Sequence, residues 1–447
     1  MVRTSRALWW GALSSLIVGM IGFAGGIAVF MYWGTTLPLA NILGPATPVQ
    51  RATPGDLRQD FKIYWETWSL VEKSFFRTEP LDHDQMVYAS IEGMLKSLGD
   101  DYTYFQRPEE AQQSRESMSG EFEGIGAYIE WKDGQLLIVS PIEGSPAEQS
   151  GIQPGDVVLK VDGAELAPQL ASLDVDAATK KARSIIRGPK GTLVQLTISR
   201  PSTGEILELS ITRAALPQIS VQHKLLDNGV AYIQLSQFTG TTTSQLDKAL
   251  EALLPQNPKG VILDLRNNPG GLLPAAREVV GRFIGEGVAL YEEFGNGRID
   301  ELPVLRSGDD PRAFDIPMIV LVNNGSASAS EIVAGALRDH ERAILLGEKT
   351  FGKGSVQSVN QLSDGSSARI TIAQWLTPDK HLIHKSGITP QHVVPFDAAE
   401  QYQVVLPQKR PIDPASVNDA QLWWAIKMLT SGETPPPAPE PTPTPAS

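Results

Sequence analysis

The 447-residue chain contains no cysteine, so disulfides, thiolate metal sites and cysteine nucleophiles are all excluded. That absence suits an extracytoplasmic protein without requiring one. Basic residues are also scarce: 38 Lys and Arg against 51 Asp and Glu leave a net charge of −13. No basic footprint for nucleic acid is therefore expected. The six histidines contain no H-E-x-x-H pair, and no metal or other cofactor is implied. His381 and His384 are read as exposed hairpin residues rather than ligands. Gly124 to Ala127 lacks the third glycine of a dinucleotide fingerprint, and Gly347 to Lys353 lacks the hydroxyl residue that closes a phosphate loop. A G-x-S-x-G elbow is missing as well.

Charge is also absent from Ala7 to Trp33, which is apolar and flanked by Trp9, Trp10, Tyr32 and Trp33. About 20 such residues cross a bilayer, and aromatic residues favour its interface. Arg3 and Arg6 precede the run and no basic residue follows until Arg51. The expectation is a cytoplasmic stub (1–8), a single-pass anchor (9–33) in the cell membrane, and an extracytoplasmic remainder. A cleaved signal peptide is the alternative.

Four prolines in 34–56 read as a stiffened linker. Residues 57–115 form a helical region, with Phe61, Tyr64, Trp65, Trp68 and then Met86, Ile91, Met94 and Leu95 at helical spacing. These stripes are expected to make a helical core. Residues 116–214 alternate short β-rich runs with Gly and Pro turns around one helix from Asp174 to Ile186. A core follows over 215–395, with strands near Val230–Leu235, Val261–Leu265, Val288–Tyr291, Ile319–Val322 and Ile344–Leu346. Pro414 is expected to open a last helix within 396–430, and 431–447 is a Pro/Thr tail expected to be disordered.

The core carries the chemistry. Apolar strand, helical segment and apolar strand between Ile319 and Gly347 imply a parallel crossover whose strands end on one edge. Ser326, Ser328 and Ser330 leave the first strand there, and Lys353, between two glycines, leaves the second. A third loop, Arg266 to Gly271, offers paired glycines whose N–H groups can turn outward. A serine at a helix start, a lysine and such a loop are what acyl transfer needs as nucleophile, base and oxyanion hole. An ordinary lysine, pKa about 10.4, is deprotonated about once in a thousand molecules near neutrality. Lowering it to about 7.5 corresponds to roughly 4 kcal/mol, which burial can supply. Phe351 is expected to give the amine an apolar wall. Should Ser328 be the nucleophile, Ser326 is expected to cap the helix, and Ser330 to pack. Asp264 is expected to orient the loop, although a catalytic acid would also suit its position. Spacing alone leaves open which serine acts.

Leu98 to Tyr104 (LGDDYTY), Phe122 to Ala127 (FEGIGA), Gly144 to Ala147 (GSPA) and Gly151 to Asp156 (GIQPGD) occur in that order. They are followed by Leu265 to Leu272 (LRNNPGGL), Gly325 to Ile332 (GSASASEI) and Phe351 to Gly354 (FGKG). Together they closely resemble the carboxy-terminal processing peptidases, or tail-specific proteases, over roughly 61–394. The resemblance implies an α/β protein: a crotonase/ClpP-like βαβ core with an inserted PDZ domain. It matches the nucleophile to Ser328, the base to Lys353 and a lysine-orienting glutamine to Gln357. Four residues of extended strand cover roughly 13 Å, so contact between Lys353 and Gln357 needs a bend at Gly354. Oxyanion donors are expected at Ala329 and at Gly270 or Gly271. In the PDZ domain, Gly124, Ile125, Gly126 and Ala127 would cradle a peptide carboxylate while the tail adds as a strand. The expected partners are proteins or peptides with apolar C-termini, with self-association left open. A non-catalytic PDZ scaffold is the alternative. The chain departs from the family at Gln391, where an acidic residue is usual.

Overall fold

A computed structural model describes residues 61–306, 312–407 and 416–437. The predicted anchor (9–33), the linker (34–56) and the end of the tail (438–447) lie outside the described residues. Two compact units divide the chain at His83. In the first, helix α1 (Lys62–Ser74) has no buried side chain. Phe61, Tyr64, Trp65 and Trp68 pack ring against ring, yet Trp65 and Leu70 stay exposed. The next helix, α2 (His83–Lys96), buries only Leu95. Among the described residues the expected helical core is therefore not formed. Periodicity marks an apolar face but not what covers it.

From Asp84 onward the chain builds two sheets of a core and one inserted domain. After β1 (Tyr104–Gln106) and α3 (Pro108–Ser119), a two-stranded stem opens the insertion: β2 (Glu121–Gly124) pairs antiparallel with β9 (Ala214–Pro217). Between them lies an antiparallel sheet in the order β3 (Ala127–Lys132), β4 (Gln135–Pro141), β5 (Val157–Val161), β7 (Leu193–Arg200), β8 (Glu205–Thr212), with β6 (Ala164–Glu165) on β5. Two short helices, α4 (Pro146–Gln149) and α5 (Ala167–Leu170), precede α6 (Val175–Ile186). The Asp174 carboxylate caps α6 by accepting the Ala177 N–H. Ala178, Ala182 and Ile186 recur at helical spacing and bury this helix against Trp131, Leu136 and Ile138.

The main core sheet is β10 (Val221–Leu225), β11 (Val230–Leu235), β12 (Gly260–Asp264), β15 (Met318–Val322), β16 (Ile344–Gly347), β19 (His392–Val393). Only β10 is antiparallel to its neighbour. Every residue of β12 and β15 is buried because both faces are covered. Val261, Leu263, Val320 and Val322 face one core with α7 (Thr242–Leu253), α8 (Leu273–Gly281) and α9 (Ala329–Asp339). Ile262, Ile319 and Leu321 face the other, against α10 (Ala420–Ser431). This last helix starts from an Asp419 cap, not at Pro414, because β21 (Ser416–Asn418) pairs with β20 (Gln403–Val405) just before it.

A second core sheet runs β1, β18 (Ser367–Leu376), β13 (Val288–Phe294), β14 (Ile299–Pro303), with β17 (Ser355–Gln361) also on β18. The Val288–Tyr291 run thus belongs to this sheet rather than to the parallel one. Ser328 and the Gly270 loop leave the carboxyl ends of β15 and β12, and Lys353 follows β16 just before β17.

Candidate active site

Ser328 stands at the start of α9 with φ +53° and ψ −115°, a strained conformation for a residue with a Cβ. Its surroundings hold it there. The Ser328 N–H donates to Glu331 Oε2 at 2.9 Å. The same oxygen accepts the Lys353 N–H at 2.9 Å, while Oε1 accepts the Gly352 N–H (2.7 Å) and the Thr350 hydroxyl (2.6 Å). One fully buried carboxylate therefore joins the serine turn to the lysine loop. Burial pushes its pKa up, against the four donors that favour the ionised form. The sequence signal for this role of Glu331 is its place three residues after a serine at a helix start.

The flanking serines are structural. Ser326 does not cap α9: its hydroxyl accepts the Asn323 N–H and donates to the Leu265 carbonyl. Ser330 is buried and donates to the Asn268 carbonyl. These bonds lock the serine turn to the glycine loop.

In that loop Gly270 and Gly271 differ. The Gly270 N–H is already donated to Asn268 Oδ1 at 2.9 Å. The N–H groups of Gly271 and Ala329 have no hydrogen-bond partner among the described residues. A Cβ on Gly270 would lie 2.8 Å from the Ser328 Cβ and 2.9 Å from the Ala329 nitrogen. Gly271 (φ +145°) lies so close to Phe238 that a Cβ would meet its carbonyl oxygen at 1.9 Å.

Lys353 is half-buried, and its amine makes no hydrogen bond or ion pair among the described residues. The Nζ lies 5.1 Å from the centre of the Tyr102 ring. The apolar wall is thus Tyr102, since Phe351 points out and is 58% exposed. Burial lowers the lysine pKa and Arg369 adds to the effect, with Asp100 and Glu331 opposing. The loop is clamped by its backbone: the Lys353 carbonyl accepts from the Trp375 indole, and the Gly352 carbonyl from the Lys385 N–H. A Cβ on Gly354 would strike the His384 nitrogen at 2.4 Å. His384 is correspondingly not an exposed hairpin residue; its ring is half-buried against Tyr102, with Nδ1 buried and unpartnered.

Gln357 lies in β17 just past a bulge at Val356/Gln357. Its side-chain amide donates to Ser355 Oγ (2.8 Å) and Thr371 Oγ1 (3.2 Å). No hydrogen bond between Gln357 and Lys353 is present among the described residues. Asp264 is committed elsewhere. It accepts from Tyr232 and from the Arg266 guanidinium, which also reaches Asp419 and Gln421 at the start of α10. It is the loop's anchor, with no free face for acid catalysis. Gln391 accepts the Leu345 N–H with its amide oxygen, a task open to any side-chain acceptor.

His381, Asp339 and Asp379 bring ligand-type atoms within 4.8 Å of one another. Asp339 is already engaged by Arg338 and the Asp379 N–H.

Gly124, Ile125, Gly126 and Ala127 line a cavity of about 680 Å³ in the inserted domain, walled also by α6 and by Ile219 and Val221 to Lys224 of the core. The carbonyls of Ile125 and Gly126 are used internally by Ala147 and Ile142, while the N–H groups of both residues are unpartnered among the described residues. Arg187, which follows α6, stacks over the Phe122 ring.

Residues 229–394 match peptidase family S41 and 137–200 match the PDZ domain. A carboxyl-terminal-processing protease of Synechocystis sp. is 38% identical over 82% of this chain and 82% of its own length. The chain belongs to peptidase family S41. The carboxy-terminal processing protease CtpA of Bacillus subtilis is 42% identical over 69% of this chain, which spans 64% of that relative's length. A solved structure, that of a photosystem II D1 C-terminal processing protease, is 29% identical with a TM-score of 0.43, over 74% of this chain and 87% of that one. No helix among the described residues is long and apolar enough to cross a membrane.

Proposed function

We propose that the protein is a serine endopeptidase that cuts extracytoplasmic proteins near their C-termini, with Ser328 as nucleophile and Lys353 as general base. The observation that carries this reading is the shared Glu331 carboxylate, which joins a strained serine to a lysine whose amine is half-buried and unpaired. Neutral Lys353 takes the Ser328 proton as Oγ bonds to the scissile carbonyl carbon. The carbonyl electron pair moves onto oxygen, where the N–H groups of Ala329 and Gly271 receive it. Collapse breaks the C–N bond, and Lys353 passes the proton to the leaving amine. Water then attacks the ester; Lys353 takes its proton and returns it to Ser328. Gln357 orients the lysine amine.

The PDZ cavity binds an apolar C-terminal tail, its carboxylate on the N–H groups at Ile125 and Gly126 and its chain beside β3. Residues 9–33 anchor the chain in the cell membrane, with the catalytic part outside.

The test is cleavage of an unfolded protein with an apolar tail by wild type, Ser328→Ala and Lys353→Ala. Loss in both variants, with tail binding intact, is expected. Full cleavage by either sinks the dyad. Binding without cleavage by wild type favours a scaffold.

A further inference from the structure

Beyond the Tyr102 wall, the segment that opens with Asp100 has no assigned part in the chemistry, yet it enters the core as β1, with Tyr104 opposite Arg369 of β18. At its start the Asp100 carboxylate accepts the Thr371 hydroxyl at 2.5 Å, the Thr103 hydroxyl at 2.7 Å and the Tyr102 N–H at 3.2 Å. Thr371 Oγ1 in turn accepts from the Gln357 side-chain amide at 3.2 Å.

The polarity of this chain of bonds follows from counting protons. An ionised carboxylate only accepts, and a hydroxyl has one proton to give. Burial would raise the Asp100 pKa, but the donors from Thr371, Thr103 and Tyr102 together hold it below the usual carboxylate range. Thr371 therefore spends its proton on Asp100 and offers Gln357 only lone pairs. Gln357 must present its NH₂ to Thr371, as it also does to Ser355 at 2.8 Å. Its carbonyl oxygen is then turned the other way. The flip of an amide is set by such networks, and here the last member of the network is an acid 257 positions upstream of the glutamine.

We propose that Asp100, acting through Thr371, fixes the orientation of the Gln357 amide so that its carbonyl oxygen accepts an N–H of the Lys353 amine and aims the nitrogen lone pair at Ser328. Asp100 and Thr371 are positioning residues; neither touches substrate. The inference rests on the reading of Lys353 as base and Gln357 as its partner. A purely electrostatic part for Asp100 is the rival. Asp100 opposes the lowering of the lysine pKa, as does Glu331, whereas Arg369 adds to it. Losing that charge would move the pH midpoint, whereas a lost orientation lowers the plateau and leaves the midpoint in place.

The experiment measures kcat, KM and the pH profile of peptide cleavage by the full chain. Thr371→Val keeps the shape and the Asp100 charge but removes the relay. It is expected to lower kcat about tenfold with KM and midpoint unchanged, and Thr371→Ser to restore it. In a Gln357→Leu background, Thr371→Val is expected to cost less than about twofold more. Asp100→Asn should show the same loss of kcat as Thr371→Val and be non-additive with it, its midpoint moving down as the lost charge requires. Wild-type kcat in Thr371→Val, or an equal loss with and without Gln357, overturns the proposal by reducing the relay to a tie between β1 and β18. A midpoint shift alone in Asp100→Asn overturns it in favour of the electrostatic role. Wild-type kcat in Gln357→Leu or Lys353→Ala removes the reading beneath it, a failure visible in the single variants.

Discussion

Ser328 and Lys353 share an acceptor: each donates its backbone N–H to Glu331 Oε2, both at 2.9 Å. The two groups of the proposed dyad come from different loops, 25 positions apart, and one oxygen sets their spacing. Glu331→Gln replaces one acceptor oxygen with a donor, so that two of the four N–H and O–H donors face an NH₂ group. A stability loss of about 2 to 4 kcal/mol is expected, read by denaturant unfolding. Labelling of Ser328 by a fluorophosphonate should fall with it. Unchanged stability would mean the carboxylate is not the link it resembles.

The lysine gives a pH prediction with a definite sign. Burial, then Arg369, holds its pKa below the ordinary 10.5. Cleavage should therefore rise with pH through a midpoint below that value. The same shift means that the folded state resists the proton. Stability should improve as pH rises from the depressed pKa towards the ordinary one, and Lys353→Met should abolish that dependence. Arg369→Gln removes a like charge and should move the cleavage midpoint upward. A midpoint that stays put would discount the arginine.

Gly271→Ala tests the loop. The added Cβ would overlap the Phe238 carbonyl at 1.9 Å and sit on a backbone with φ +145°. The loop must move, carrying its unpartnered N–H away from Ala329. Acylation should drop about a hundredfold or more, measured as the rate of fluorophosphonate labelling. Tail binding by the PDZ domain, on the far side of the β2–β9 stem, should be unaffected.

Arg266 ties the same loop to the last helix through Asp264, Asp419 and Gln421. Burial alone would lower its pKa, but Asp264 and Asp419 outweigh that and raise it. Arg266→Met leaves Asp264 buried and unpaired, and a loss of about 3 to 5 kcal/mol is expected. Asp419→Asn should cost clearly less, because Gln421 still accepts from the guanidinium. Thermal unfolding of the two variants side by side decides it.

The sequence by itself determined what depends on neighbours in the chain. The buried strand at Ile319 was legible because its apolar run is too short for a helix and is bounded by Pro317 and by Asn323 to Gly325. The start of α6 at Asp174 was legible because the capping carboxylate and the N–H it accepts lie three residues apart. The ordered motifs placed the chain in its family for the same reason, since each is a local string. Only the tertiary structure decided who meets whom. Tyr102, not the adjacent Phe351, walls the lysine, because β1 docks on β18 and brings it across 251 positions of chain. Asp100 meets Thr371 by the same docking. Ser326 serves Leu265 rather than the helix it precedes, and Trp65 of the α1 aromatic stripe stays exposed. Spacing reports which face is apolar and which atoms can donate, whereas partners come from closure of the chain, over distances no local pattern encodes.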